Sequence, residues 1–213
     1  MRKLFLLLAI ILATSGTGMA QGDQSGAPGV FAFELSMSPF VDSEAWLSPG
    51  FIKGRFFTGP IGVRLGLGTN LLLSSDQGTQ PETVRNLAYL DIRPGVEYHL
   101  AQTGEVVAYA GLDFIFANRN ANVDATVGAP ITGAWDINTL NNRGFMALGA
   151  NLVVGGEYYL RGGGFFIGTE IGFEFLYFTH HEVKWGDEVR IPQTNSTTFM
   201  PSLNSSLRLG VAF

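Results

Sequence analysis

The residues best suited to nucleophilic chemistry lie together in one polar stretch. His180, His181 and Glu182 are consecutive, and Asp187 and Ser196 follow within the same stretch. A serine hydrolase would need one of these histidines as the base for Ser196, with a carboxylate orienting the ring. The chain has no Gly-X-Ser-X-Gly elbow, however, and nothing in this spacing requires a triad. Solvated polar loop residues are the preferred interpretation, and we predict no catalytic residue.

A metal or cofactor site is not indicated either. Adjacent side chains on an extended segment point to opposite sides, so His180 and His181 suit chelation of one ion poorly. The chain contains no cysteine, which excludes disulfides and thiolate ligands. The run Gly162–Gly164 is better read as a tight turn than as a phosphate-binding loop. We expect no metal site and no cofactor.

Most other charged residues alternate with apolar residues along extended segments. Side chains alternate across a strand, so each such segment has one charged face and one apolar face. Twelve charged residues are assigned to that charged face: Glu34, Lys53, Arg55, Arg64, Asp91, Arg93, Glu97, Asp113, Glu157, Glu170, Glu174 and Arg208. Burying a lone charge costs several kcal/mol, so this face predicts either paired charges in an interior or a charged surface in water.

Eight alternating segments carry these residues, with turn signals between them. The segments lie at Val30–Ser38, Phe51–Phe57, from Ile61 onward, Asn86–Leu100, Val106–Ala117, Phe145–Leu160, Phe165–Phe178 and from about Thr198 to Phe213. In the fourth segment Pro94 cannot donate a ladder hydrogen bond, and we expect a β-bulge there together with Gly95. The pattern predicts an all-β, antiparallel fold.

The connections between the segments alternate in length. Short turns follow the second, fourth and sixth segments, at Thr58–Pro60, Ala101–Glu105 and Arg161–Gly164. Long polar loops follow the other segments, at Pro39–Gly50, Ser74–Thr83, Asn118–Asn142 and Thr179–Thr197. Every second connection therefore emerges at the same end, which is the asymmetry of outer-membrane barrels.

The alternation alone fits two opposite structures, a soluble barrel with its apolar face inside and a membrane barrel with that face outside. Three features favour the membrane barrel. Glycines crowd the polar face, where they make room inside a narrow barrel. Aromatic residues cluster at both ends of the segments, as interfacial girdles do. Charged residues make up only 15% of the chain, against roughly 25% in soluble domains.

The beginning of the chain has the pattern of a secretory signal peptide, with basic Arg2 and Lys3, an apolar stretch and small residues before Gln21. We therefore expect a signal peptide at 1–20 and a single barrel domain at 21–213. Removing Arg2 and Lys3 from the 13 basic residues leaves 11 against 18 acidic residues, which argues against a nucleic-acid partner.

The chain resembles the small eight-stranded outer-membrane β-barrel family over nearly all of its expected mature length. The resemblance rests on the signal, the alternating segments, the loop asymmetry, the segment Arg93–Tyr98 and the strand that ends at Phe213. It implies an eight-stranded antiparallel up-and-down transmembrane β-barrel in the outer membrane of a Gram-negative-type cell. The long loops would be extracellular and both mature termini periplasmic. Leu209, Val211 and Phe213 look like the family's signal to the barrel-assembly machinery.

Three functions stay open at this point. The first is a barrel with a closed, charge-paired polar interior, which serves envelope structure or interaction through its outer loops or lateral contacts. It is preferred because the interior of an eight-stranded barrel is only wide enough for side chains. Trp135 and Trp185 are then either candidate contact residues in the loops or residues that pin the loops to the barrel rim or the membrane interface. The second function is a narrow porin for small solutes or ions, and the third is a lipid-modifying enzyme. Expected partners are outer-membrane lipid, the barrel-assembly machinery and other envelope proteins.

Overall fold

The computed structural model describes residues 30–37, 49–76, 83–125, 128–135, 142–160, 164–202 and 207–213. These residues form twelve antiparallel β-strands, which confirms the predicted all-β class. The strands are β1 Phe31–Met37, β2 Pro49–Thr58, β3 Ile61–Asp76, β4 Thr83–Thr103, β5 Val106–Ala125, β6 Ile131–Thr132, β7 Phe145–Tyr159, β8 Phe165–His180, β9 Val183–Trp185, β10 Glu188–Ile191, β11 Thr194–Ser202 and β12 Leu207–Ala212. The predicted signal peptide lies outside the described residues.

Within the described ranges, no helix has the length and apolarity needed to cross a membrane.

The strand pairings form a ring. From β1 the pairs run through β2, β3, β4, β5, β7 and β8 to β12, and β12 pairs with β1 again. Two backbone hydrogen bonds extend this last pairing: Phe31 N donates to Phe213 O at 3.0 Å, and Phe213 N donates to Phe31 O at 2.9 Å. β11 also pairs with β8, along the half of β8 that β12 does not reach. The sheet therefore has no free edge where its first and last strands meet.

The two ends of the ring differ, and we name them by their connections. Short connections join β2 to β3 and β4 to β5 at the short-turn end. At the opposite, long-loop end, β6 pairs with β5, β9 with β6, and β10 with β9. The stretches predicted as loops at Asn118–Asn142 and Thr179–Thr197 thus contain strand, and β5 itself continues to Ala125. These residues escaped prediction because Asn-rich sequence has low strand propensity, which backbone pairing with β4 overrides.

Side chains alternate between the inside and the outside of the ring, and β8 shows this most regularly. Phe166, Glu170 and Glu174 are buried, whereas Ile171 and Phe173 are more than half exposed. Around the ring the exposed positions are rich in Leu, Ile, Val and Phe, and the buried positions hold most of the charges. A water-soluble core has the reverse arrangement.

This pattern changes beyond Ala117 on β5. Ala121 and Val123 are buried on the inner face of that strand, while Asn120 and Asp124 are exposed on its outer face. The long-loop end of β5 therefore has the polarity of an ordinary soluble protein.

The predicted bulge at Pro94 is wrong. The register between β4 and β5 is the same on both sides of it, because Ile92 pairs with Phe116 and Gly95 with Asp113. Pro94 instead lies on the exposed face, and the pairs of Arg93 and Pro94 with β5 are missing. The register shift in this pair of strands lies between His99 and Ala101, near the short-turn end.

Candidate functional site

All twelve charged residues assigned to one face lie inside the ring. Each is at most 8% exposed, and Asp91 and Arg208 are completely buried. Every strand on the closed path contributes at least one of them, because the period of two along each strand brings its charges to the same side. Seven are acids and five are bases, so the interior holds more carboxylates than cations.

Among the described cations of this interior, Arg64 makes the most side-chain hydrogen bonds. Its Nε and Nη2 donate to the two carboxylate oxygens of Asp113 at 2.5 and 2.6 Å, a bidentate pair. Its Nη1 donates to Glu170 Oε2 at 2.9 Å. Lys53 donates to the other oxygen of Glu170 at 3.2 Å. Since Arg64 is on β3 and Glu170 on β8, these contacts cross the ring rather than follow its wall.

A second group of ion pairs lies beside the first. Arg55 Nη1 donates to Glu157 Oε1 at 2.6 Å and to Glu97 Oε1 at 3.0 Å. Arg208 pairs with Glu34 through two hydrogen bonds, and its Nη2 is also 3.0 Å from Glu157 Oε1. Glu34 and Glu157 are each shared between the two guanidiniums. Such mutual satisfaction is what makes buried charges tolerable.

Tyrosines and glycines complete the packing of the inner wall. Tyr109 donates its hydroxyl to Glu170 Oε2 at 2.8 Å and lies across from Gly155 on β7. A Cβ at Gly155 would overlap the Tyr109 hydroxyl, and one at Gly95 would overlap the Asp113 carboxylate. At these two positions glycine is required because a neighbouring side chain fills the space.

An aromatic cluster closes the ring at its short-turn end. Phe57, Tyr159 and Phe166 are buried together with Val107. The Arg55 guanidinium lies 4.8 Å from the ring centroid of Phe166 and 5.2 Å from that of Phe57. The sequence analysis assigned the charged residues to this face and missed Phe57 and Phe166. The signal was present, since Phe57 stands two positions after Arg55 and therefore shares its face.

Toward the long-loop end, the network finishes in a smaller group. Arg93 Nη2 lies 2.8 Å from Asp91 Oδ2 and 3.4 Å from Glu174 Oε1. The Tyr89 hydroxyl donates to Asp91 at 2.9 Å, and the Arg93 guanidinium lies 4.6 Å from the Phe51 ring centroid. The described residues contain no group of three or more His, Cys, Asp or Glu side chains arranged to hold a metal ion.

Above this group the ring opens into a cavity of about 430 Å³, which we call the loop-end cleft. Its walls are Asn70, Leu72, Leu87, Tyr89, Arg119, Trp135, Asn142 and Phe145. The Trp135 indole donates to the Asn86 carbonyl at 3.0 Å, which fixes the loop residue against β4. The Arg119 guanidinium lies 4.6 Å from the Phe145 ring centroid.

Arg143 adjoins the cleft through its hydrogen bonds with Arg119, and the sequence analysis did not identify it. It is only 4% exposed and donates from Nε to His181 O at 2.7 Å and from Nη2 to Pro192 O at 2.5 Å. Its own carbonyl accepts two hydrogen bonds from Arg119, at 2.9 and 2.6 Å. Arg143 precedes β7 in a stretch without alternation, so no pattern could assign it to an interior.

Two of the candidate hydrolase residues come together. His180 Nε2 lies 3.2 Å from Ser196 Oγ, because β8 and β11 are paired. Burial and the nearby cations Arg143 and Arg119 hold the pKa of His180 below its usual value. No described carboxylate contacts His180, and Glu182 pairs with exposed Lys184 at 2.6 Å instead. The structure thus provides a nucleophile and a base without the group that would orient the base.

The remaining candidates take structural contacts. The Trp185 indole donates to the Ala129 carbonyl at 3.1 Å, and the Arg190 guanidinium lies 5.0 Å from its ring centroid. At the other end of the ring, Leu209 and Phe213 are exposed on the outside. The ring of Phe213 stacks on Phe33 with centroids 6.1 Å apart.

In comparisons with known proteins, no family profile, no curated protein and no solved structure matches this chain.

Proposed function

We propose that this protein is an integral β-barrel of the outer membrane, with a closed, ion-paired interior. In this proposal β11 and β12 are two parts of one strand, so the ring is an eight-stranded up-and-down barrel after a signal peptide. The observation that carries the proposal is the reversed burial. Side chains such as Ile171 and Phe173 are exposed on the outside while all twelve charges are inside. Acyl chains are the solvent in which that arrangement is stable.

The dimensions agree with a bilayer. A transmembrane β-strand needs about 9–11 residues, and the alternate exposed positions of β8 from Phe165 to Tyr177 are apolar or aromatic except for Thr169. Tyr158 and Phe213 stand at the short-turn end of the exposed surface and Phe199 toward the other, as an aromatic belt at each interface would. We propose that the short-turn end is periplasmic and the long-loop end extracellular, as in other outer-membrane barrels.

The proposed role is structural or interactive rather than catalytic or conducting. The cross-ring ion pairs of Arg64 and the aromatic cluster around Phe166 fill the interior with side chains. An eight-stranded barrel has room for little else. Contacts with envelope partners would then use the long-loop end or the lipid-facing surface, and the terminal residues Leu209, Val211 and Phe213 would address the chain to the barrel-assembly machinery.

Because the chain lacks cysteine, membrane insertion can be tested with single-cysteine variants. Ile171→Cys, on the exposed apolar face, and Asn120→Cys, on the exposed polar face, are a matched pair. In lipid vesicles we expect a water-soluble maleimide to label Asn120→Cys and to leave Ile171→Cys unmodified. Equal labelling of both, with a protein that stays dissolved without detergent, would refute the proposal.

Electrical recording separates the closed barrel from the narrow porin. The protein in a planar bilayer should show no steady single-channel conductance, because cross-ring pairs such as Lys53–Glu170 block the axis. Steady conductance would favour the porin, and the excess of interior carboxylates predicts that it would prefer cations.

One observation favours the third function, a lipid-modifying enzyme. His180 Nε2 is within hydrogen-bond reach of Ser196 Oγ, which is the nucleophile–base contact of an acyl hydrolase. Substituting His180 and Ser196 separately and measuring the lipid composition of the outer membrane tests this function. An unchanged lipid profile in both variants removes the enzyme from consideration.

A further inference from the structure

Two cations near the long-loop end differ from all the arginines of the interior. Arg55, Arg64 and Arg208 each contact at least two carboxylates. Arg119 and Arg143 contact none among the described residues, and both are at least partly buried. A buried cation without a counterion is costly. Arg119 lies at the wall of an open cavity and is hydrogen-bonded to the carbonyl of Arg143, so this pair indicates a site for an anion.

The two guanidiniums have different parts in this site. Arg143 uses Nε, Nη1 and Nη2 for hydrogen bonds to His181 O, Thr194 Oγ1 and Pro192 O, so it holds these segments together beside the cleft. Toward the described residues, Arg119 donates only from Nε and Nη2, both to the carbonyl of Arg143. Its Nη1 therefore keeps its donors for a ligand, and Arg119 is one of the residues that line the loop-end cleft.

The rest of the lining specifies the shape and the polarity of that ligand. Tyr89, Trp135 and Phe145 supply three aromatic rings, with the centroids of Tyr89 and Phe145 6.3 Å apart. Asn70 and Asn142 supply amide groups, which donate to and accept from hydroxyls. Aromatic faces contact the C–H face of a sugar ring, and a guanidinium pairs with a carboxylate or a phosphate. The cavity of about 430 Å³ lies in the range of small-ligand sites.

We propose that the loop-end cleft binds an acidic saccharide, with the sugar ring against the aromatic lining and its carboxylate or phosphate on Arg119. Such a unit can come as a free acidic sugar or as the sugar portion of an outer-leaflet glycolipid. This inference rests on the proposed function in one respect only, the side of the membrane from which the ligand would reach the cleft. Binding to the purified protein in micelles does not depend on that side, so the two proposals can fail separately.

The test is calorimetric titration of the purified protein in an oxyethylene detergent, which carries no sugar. The probes are glucuronate, glucose 6-phosphate and glucose. Because a charge-assisted hydrogen bond is lost without the acidic group, we expect glucose to bind at least about tenfold more weakly than either acid. Equal binding of all three probes, or no binding of any of them, would overturn the proposal.

Matched variants locate the site. Arg119→Gln should weaken glucuronate binding about tenfold or more, whereas Arg190→Gln, an exposed arginine paired with Glu188 outside the cleft, should leave it unchanged. Ligand-induced quenching of indole fluorescence should persist in Trp185→Phe and disappear in Trp135→Phe. Unchanged heat-modifiable gel migration would show that Arg119→Gln is folded. If glucuronate binding then survives in this variant, the anion does not bind at Arg119.

A final arm distinguishes the two sources. Glucuronate and an acidic glycolipid in mixed micelles are compared as competitors that displace bound glucose 6-phosphate from the cleft. Competition by the free sugar alone identifies a soluble ligand, and stronger competition by the glycolipid identifies a membrane one. Failure of both to compete contradicts the assignment of the cleft.

Discussion

The two halves of β5 differ most clearly on their outer faces. Between Val106 and Ala117 the inner positions include Tyr109 and Asp113, and the outer positions include Phe114, which is 61% exposed. Beyond Ala117 the inner positions Ala121 and Val123 are small and apolar, Arg119 faces the loop-end cleft, and the outer positions hold Asn and Asp. The pairing with β4 keeps the same register across this point, while on its other side β5 pairs first with β7 and then with β6.

The difference teaches that the sign of the alternation reports the solvent around the strand rather than the strand itself. Lipid favours apolar side chains outside and leaves the interior to charges, whereas water favours the reverse. The change near Ala117 therefore marks where we propose that β5 leaves the bilayer. The loop-end cleft lies beyond this boundary, next to Arg119, where water rather than lipid would surround the strands and the interior can be open.

The largest effect should come from breaking the interior of the charged half. Arg64→Met leaves Asp113 and Glu170 without their main partner, and we expect the free energy of unfolding to fall by about 3–5 kcal/mol. Urea unfolding in vesicles, followed by indole fluorescence, measures this change. Lys184→Met is the control, because its ion pair with Glu182 is exposed and should contribute under about 1 kcal/mol. Equal losses in the two variants would show that the interior pairs are not special.

A charge placed on the outside tests the boundary directly. Leu152→Arg introduces a charge on the exposed apolar face of β7 and should destabilise the protein by about 2–4 kcal/mol in a bilayer. Asn120→Arg, on the polar outer face of β5, should change stability by less than about 0.5 kcal/mol. The comparison is again urea unfolding in vesicles. A tolerated Leu152→Arg would mean that this face does not meet lipid.

Two neighbouring glycines sharpen the comparison of the inside with the outside on a single strand. Gly155→Ala should cost about 1–3 kcal/mol, because the new methyl group overlaps the Tyr109 side chain inside the ring. Gly156→Ala, on the opposite face, meets only Val107 O at 3.8 Å and should be neutral or slightly stabilising. Thermal unfolding in detergent distinguishes the two. Similar midpoints for both variants would contradict the close packing of the inner wall.

The smallest effect concerns the histidine beyond the apolar surface. The pKa of His180 should lie below 6.5 in histidine-detected NMR titrations, chiefly because it is partly buried and also because Arg143 and Arg119 are near. Arg119→Gln should move that pKa back toward 6.5. Because the folded state resists protonation, this group's contribution to stability is complete above the unfolded pKa and is lost as the pH falls through the folded one. A pKa above 6.5 would indicate an acidic neighbour instead.

Sequence pattern located the wall of the ring better than it located the cleft. Strict alternation assigned Glu34, Arg64 and Glu170 to one face, because the period of two needs no knowledge of partners. The same rule, applied further, would have reached Phe57. It could not reach Arg143, whose position depends on the carbonyls of His181 and Pro192 and the hydroxyl of Thr194. Nor could it reach the strand beyond Asn118, where pairing with β4 overrides composition. The bulge expected at Pro94 failed because an outward-facing proline can lose its pairs without shifting the register.

The pairing of β1 with β12 has a consequence for biogenesis. The last pairing joins residues as far apart in sequence as Ala32 and Ala212, so the entropy cost of closing this loop makes it a slow step of folding. Until β12 is in place, β1 presents an edge without its backbone partner. For the outer-membrane barrel that we propose, the chain would then have to cross an aqueous space before its apolar face meets lipid, so we expect closure of the ring and insertion to occur together.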